Sequence, residues 1–188
     1  MELVIESAGD DPDQGDVLEL VREQWGGIGF KVHAKPTGRE VLRNRIFSGE
    51  ALMSISPGID NGVPAATLPP SSYAPTSQAD QPQWPKWGQH YETKGAAGEA
   101  PDLPEAKRLL ELYGQWKTST TAEAQAEVWH EMLRLYASQC FTIGILAGVE
   151  QPIAARGTLR NVPERAVFGW EPYAQFGVYL PDTFFYAD

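Results

Sequence analysis

The chain has 188 residues, 42% of them hydrophobic and 21% charged, a composition that can bury a core and excludes a disordered segment. Its 25 acidic against 15 basic residues leave a net charge of -10. This excludes nucleic acid or an anionic membrane as the principal partner, because both require a positive face. Cys140 is the only cysteine, so neither an intrachain disulfide nor a thiolate metal site can form; between Gln139 and Phe141 it reads as a small buried hydrophobe.

The chain opens on Met1-Glu2-Leu3-Val4-Ile5-Glu6, which reads as a strand without a basic-then-apolar leader, the expectation for an excised domain. No apolar run reaches the ~20 residues that a spanning helix needs. A polar turn over residues 9–16 leads into a helix with Val17, Leu18, Val21, Trp25 and Ile28 on one face. Asp16 is placed to cap that helix and Gly26-Gly27 to end it. Residues 30–34 alternate as a strand. A second helix carries Val41, Leu42, Ile46 and Phe47 and stops near Gly49, and Ala51–Ile55 reads as a third strand. The β-α-β-α-β order predicts right-handed crossovers and a sheet covered by helices, an α/β fold.

Residues 57–102 change character: Pro, Gly and Ser become dense, Trp84, Trp87 and Tyr91 appear, and no period survives, so a long aromatic loop is expected. After Pro104, Ala106, Leu109, Leu110, Tyr113 and Trp116 form a helical stripe. Thr120-Thr121-Ala122-Glu123 opens a second helix with a capping-box pattern, whose inner face is Val128, Met132, Leu135 and Tyr136. Phe141–Leu146 then reads as a buried strand. Residues 149–188 are aromatic and Pro-rich without a period of their own.

The search for catalytic groups is mostly negative. The sequence has no phosphate-binding or dinucleotide glycine loop and no nucleophile elbow, and no nucleophile–base pair stands out. His33, His90 and His130 fall in a strand, a loop and a helix with no i,i+4 pair, so no metal and no cofactor is expected. The acidic turn Asp11-x-Asp13-x-Gly15-Asp16 puts Gly15 where a calcium loop needs an oxygen ligand, and reads instead as a helix-capping turn.

The stretch Ser56-Pro57-Gly58-Ile59-Asp60-Asn61-Gly62-Val63-Pro64 follows the third strand directly. In open α/β sheets ligands collect at the carboxyl ends of strands, where a carboxylate can meet a cationic group; the same residues also suit an Asx-turn that simply ends the strand. Both readings stand on local sequence.

The order strand, amphipathic helix, Gly27-Ile28-Gly29-Phe30-Lys31-Val32, helix, Ser48-Gly49-Glu50, apolar strand, together with Asp60-Asn61-Gly62-Val63-Pro64, the helix pair 104–138 and Phe141-Thr142-Ile143-Gly144, resembles the second lobe of the extracytoplasmic solute-binding proteins of peptide-type (dipeptide and oligopeptide) ABC importers. The likeness runs along nearly the whole chain, carried by the order of elements more than by any one motif.

It implies the C-terminal lobe of a type II periplasmic-binding-protein fold, with helices packed on a mixed sheet. Residues 1–148 would be the ligand-binding lobe and 149–188 a segment returning to the N-terminal lobe. The implied function is capture of a small solute in an interlobe cleft and delivery to ABC permease subunits in the membrane, outside the cytoplasm and without catalysis.

The resemblance also implies ligand-binding residues. Asp60, with Asn61 beside it, matches the aspartate that pairs with a peptide's α-ammonium. Trp84 and Trp87 are candidate walls, with anchoring of the loop on the core as the competing role. Peptide binders of the family commonly carry a tryptophan three residues before that aspartate, where this chain has Pro57, and members also take sugars, opines and nickel complexes.

A structural or protein-interaction domain is the alternative function, since aromatic loops also serve interfaces. Without the first lobe, the aromatic tail (Phe168, Trp170, Tyr173, Phe176, Tyr179, Phe184, Phe185 and Tyr186) is expected to bury itself by self-association.

Overall fold

The computed structural model describes residues 1–56, 58, 70–145, 150, 152–165 and 181–187. The described residues up to Ile143 form one compact unit and those from Gly144 onward a second.

The first unit starts with strand β1 (Glu2–Ala8), helix α1 (Pro12–Gly26), strand β2 (Lys31–Thr37) and helix α2 (Arg39–Phe47). β1 and β2 pair in parallel from Glu2↔Lys31 to Ala8↔Thr37. The helix cap differs from expectation. Asp11, not Asp16, caps α1, its carboxylate accepting from Gln14 N at 3.3 Å. Pro12 in the first turn starts the helix one turn earlier than the apolar pattern shows, because its missing N–H costs nothing there.

The two helices cover opposite faces of the sheet. Ile5 and Val32 meet Leu18 of α1, with Val21, Trp25, Met53 and Ile55 packed against them. On the other face Arg45 of α2 grips Glu6 of β1. Right-handed crossovers require this arrangement when the chain steps from β1 to one side and then back past it to the other.

The third parallel segment does return beside β1, but as a single bridge, Glu6↔Ser54, not as a strand over Ala51–Ile55. The ladder stops because Ala8 N, the next β1 amide on that edge, donates to Gln14 Oε1 at 3.2 Å, and Leu52 turns outward, 93% exposed.

In the stretch expected to be a loop, residues 70–102 hold more structure than that. A 3-10 turn, Ser71–Tyr73, precedes helix α3 (Pro85–Glu92). Two turns of helix are too short to show a period, although Pro85 sits at its first turn. Gly88 lets α3 lie on the preceding chain: a Cβ there would stand 2.1 Å from Ser77 O.

Helices α4 (Pro104–Thr118) and α5 (Ala122–Gln139) pack on each other across a three-residue connection. Leu109, Leu112 and Met132 are fully buried between the elements, with Arg108 holding Glu131 at 2.8 Å. Leu112 takes an inward position where the sequence reading placed Leu110, which is half-buried. Thr121 caps α5 by accepting from Ala124 N at 3.2 Å. Glu123 is one position too early to answer it, so the cap is single and not a box.

Two expectations fail at the end of α5. Cys140 is exposed, not buried, because it is the left-handed residue that ends the helix (φ 49°) and its side chain projects clear of the core. Phe141–Ile145 form no strand among the described residues, and Ile143 is 61% exposed. An apolar run becomes a strand only beside an edge that offers it hydrogen bonds.

In the second unit, strands β3 (Leu159–Arg160) and β4 (Phe185–Tyr186) pair antiparallel. Asn161 Nδ2 donates to Thr183 O at 3.0 Å, and Ala187 N donates to Thr158 O at 2.8 Å. Phe168, Trp170, Tyr173, Phe176 and Tyr179 lie outside the described residues.

Candidate functional site

Three chain segments end at the carboxyl edge of the sheet: Ala8-Gly9-Asp10, Thr37-Gly38-Arg39 and Ile55-Ser56. Gly9 N donates to Thr37 O at 2.8 Å, and a Cβ at Gly9 would stand 3.4 Å from both Pro36 Cβ and Thr37 O, so the first two segments run close together. Arg39 and Asp10 join across them at 3.2 Å on the solvent side. Thr37 Oγ1 is buried and meets no partner among the described residues. The third segment runs on to Asp60 and Asn61, which lie outside the described residues.

Just beneath this edge is a buried carboxylate. Glu6 takes Arg45 in a two-pronged pair, Nε and Nη2 each at 2.8 Å, with Lys35 at 3.4 Å. The Arg45 guanidinium holds the Glu6 carboxyl below the usual glutamate range, against the opposing effect of burial.

The structure brings Trp84 and Trp87 together, with ring centroids 6.4 Å apart and nearly parallel planes. Trp84 is 3% exposed. Its ring meets Phe141 edge-on at 4.8 Å and Tyr136 at 5.7 Å, while Nε1 donates to Gln81 Oε1 at 2.8 Å. That environment is packing, with the one polar atom satisfied inside. Trp87 is half-buried and keeps part of its surface open.

Gln81 and Tyr73, which organise this region together with Tyr136, escaped the sequence reading. Gln81 is buried: its Oε1 accepts from Thr76 N, Ser77 N and Trp84 Nε1, and its Nε2 donates to Ser71 O and Thr76 Oγ1. Tyr73 packs edge-on against Trp129 and Tyr136 at 4.8 and 5.1 Å. The Tyr136 hydroxyl accepts from Gln83 and donates to Thr142, and burial raises its phenol above the ordinary range. The density of aromatics was a visible signal; a lone glutamine among polar neighbours was not.

His33 pairs with Glu2 at 3.5 Å. Among the described residues no three His, Cys, Asp or Glu side chains stand together as a metal site, and no helix is long and apolar enough to cross a membrane.

No protein-family model matches the sequence, and no curated protein matches it. Solved structures do match its fold. The oligopeptide-binding protein OppA is similar at a TM-score of 0.60 and 18% identity, over 74% of this chain and 23% of that one. The periplasmic binding protein MelB from Agrobacterium fabrum C58, in complex with stachyose, is similar at 0.57 and 14%, over 76% of this chain and 20% of that one. NikA from Brucella suis, in complex with Fe(III)-EDTA, is similar at 0.51 and 15%, over 72% and 24%. The chain thus spans less than a quarter of the length of the first of these, and a comparable share of the others.

Proposed function

We infer, from the fold of one lobe of a type II periplasmic solute-binding protein that this chain carries, that it belongs to a solute-binding component of an ABC import system. In this reading it contributes one wall of a cleft that captures a small solute outside the cytoplasm and passes it to a membrane permease, with no bond made or broken. The observation that carries the proposal is the match of about three quarters of the chain to three solute-binding proteins of unlike cargo. Such a fold supplies a frame, and specificity comes from the few side chains set upon it.

Asp60 and Asn61, which follow in sequence the segment that ends at the carboxyl edge, are the proposed polar contacts, because open sheets hold ligands at such edges. Trp87 is the proposed wall, with Trp84 behind it. Pro57, in place of the tryptophan expected for a peptide binder, leaves the solute class to experiment. A thermal-shift panel of dipeptides, oligosaccharides and opines, run on the protein with both lobes present, tests the proposal. A native-state ligand at 100 times its Kd raises stability by about 2.7 kcal/mol, so one class should raise Tm by several degrees. A flat response to every class would overturn the solute-binding reading.

A second reading, a protein-interaction role, is favoured by apolar side chains left in solvent, Ile143 in the first unit and Phe185 and Tyr186 (53% and 66% exposed) in the second. Self-association through the C-terminal segment belongs to this reading.

A further inference from the structure

The polar ties that hold residues 50–55 to the sheet converge on one pair of residues. Glu6 N donates to Met53 O at 2.9 Å, and Glu6 O accepts from Ile55 N at 3.1 Å. The Glu6 carboxylate takes the Arg45 guanidinium at 2.8 Å twice. Arg45 also extends Nη1 to Glu50 at 2.7 Å, while its carbonyl accepts from Glu50 N at 2.9 Å and from Ala51 N at 3.2 Å. Apolar contact adds Met53 and Ile55, half-buried against the core of Ile5, Leu18 and Val32, while Leu52 is in solvent. A segment held at a sheet edge by half-buried side chains opens more easily than the core it touches.

We propose that Glu6 and Arg45 form an acid-labile clasp on residues 50–56, so that neutralising Glu6 frees that segment locally while the rest of the chain stays folded. A guanidinium–carboxylate fork is directional and short; here the carboxylate is buried while the guanidinium is part-exposed and also holds Glu50, so neutralising Glu6 removes the charge assistance of the fork. The charged groups facing Glu6 are Lys35 from β2, Arg45 from α2 and, through Arg45, Glu50. His33 lies on the same face of β2 but pairs with Glu2.

Because the folded-state pKa of Glu6 is depressed, its contribution is complete above the ordinary glutamate value of 4.5 and is lost as pH falls through the lower folded value. Residues 50–56 lead on in sequence towards Asp60, and the clasp stands whether or not Asp60 binds a solute.

Amide hydrogen exchange on the whole chain at neutral pH is the test. In Glu6→Gln, the amides of Ile55 and of position 6 should exchange on the order of tenfold faster, the size of one lost charge-assisted hydrogen bond. The amides of Leu112 and Met132, deep between α4 and α5, should be unchanged. Arg45→Lys, which keeps the charge and loses the fork, should fall between. Equal acceleration everywhere, or none at Ile55, overturns the clasp. Should Glu6→Gln not fold, the unaltered chain decides. On acidification below pH 4.5 the Met53 and Ile55 amide resonances should shift with the Glu6 carboxyl while helical circular dichroism persists; their loss only together with the helices would refute local release.

Discussion

Gln81 gives residues 71–84 the backbone partners that a sheet would otherwise supply. Five hydrogen bonds end on its one amide, which is how an irregular stretch stays folded without leaving buried polar groups unpaired. Trp84 stands on this amide, so its two candidate roles separate in a measurement. Trp84→Ala should destabilise the chain by about 3–5 kcal/mol in urea unfolding, the range for deleting a buried indole. Trp87→Ala should cost clearly less, and by calorimetry on the two-lobed protein should weaken the solute found by thermal shift. Equal losses of stability would make both tryptophans packing residues. Asp60→Asn should weaken binding of a solute bearing an α-ammonium by about 1.5–3 kcal/mol, with Tm nearly constant. Unchanged affinity would return Asp60 to the role of a turn former.

At the scale of elements, α3 shows how close approach substitutes for length. Eight residues of helix are marginal alone, and α3 persists because Gly88 lets it touch the chain at Ser77 while Trp84 and Trp87 turn toward each other. Gly88→Ala should therefore cost about 3 kcal/mol by overpacking against a backbone carbonyl. A cost below 1 kcal/mol in the same urea experiment would show that α3 can shift freely. β2 solves a different problem: among the described residues it pairs only with β1, leaving an edge open. Pro36 and the lysines at 31 and 35 make that edge a poor template for another strand.

For the whole molecule, the outstanding feature is the apolar surface left exposed among the described residues. Ile143, Phe185 and Tyr186 remain in water, where each ring or branched side chain forgoes ~25 cal/mol per Å² of burial. The chain by itself should associate, most simply as a two-fold dimer, and light scattering across a dilution series should show mass rising with concentration. A monomer at every concentration would contradict self-association. The same chain should bind solute weakly, since the proposed cleft needs a second wall; tight binding by an isolated monomer would mean that the site is complete within these residues.

The sequence by itself determined the α/β class, the alternation through α2, the α4–α5 pair, and the resemblance to a solute-binding lobe. Each rests on local chemistry: period, caps and breakers act within a few residues of where they are read. Tertiary structure decided the rest. It withheld the third strand because Gln14 claimed the Ala8 amide, exposed Cys140 through a left-handed helix end, and left Phe141–Ile145 without a ladder. It also joined Glu6 to Arg45 and Trp84 to Gln81. Apolar character says that a residue seeks a partner, but whether a hydrogen-bonding edge or a counter-charge stands there depends on groups distant in sequence, and only the folded chain brings them together.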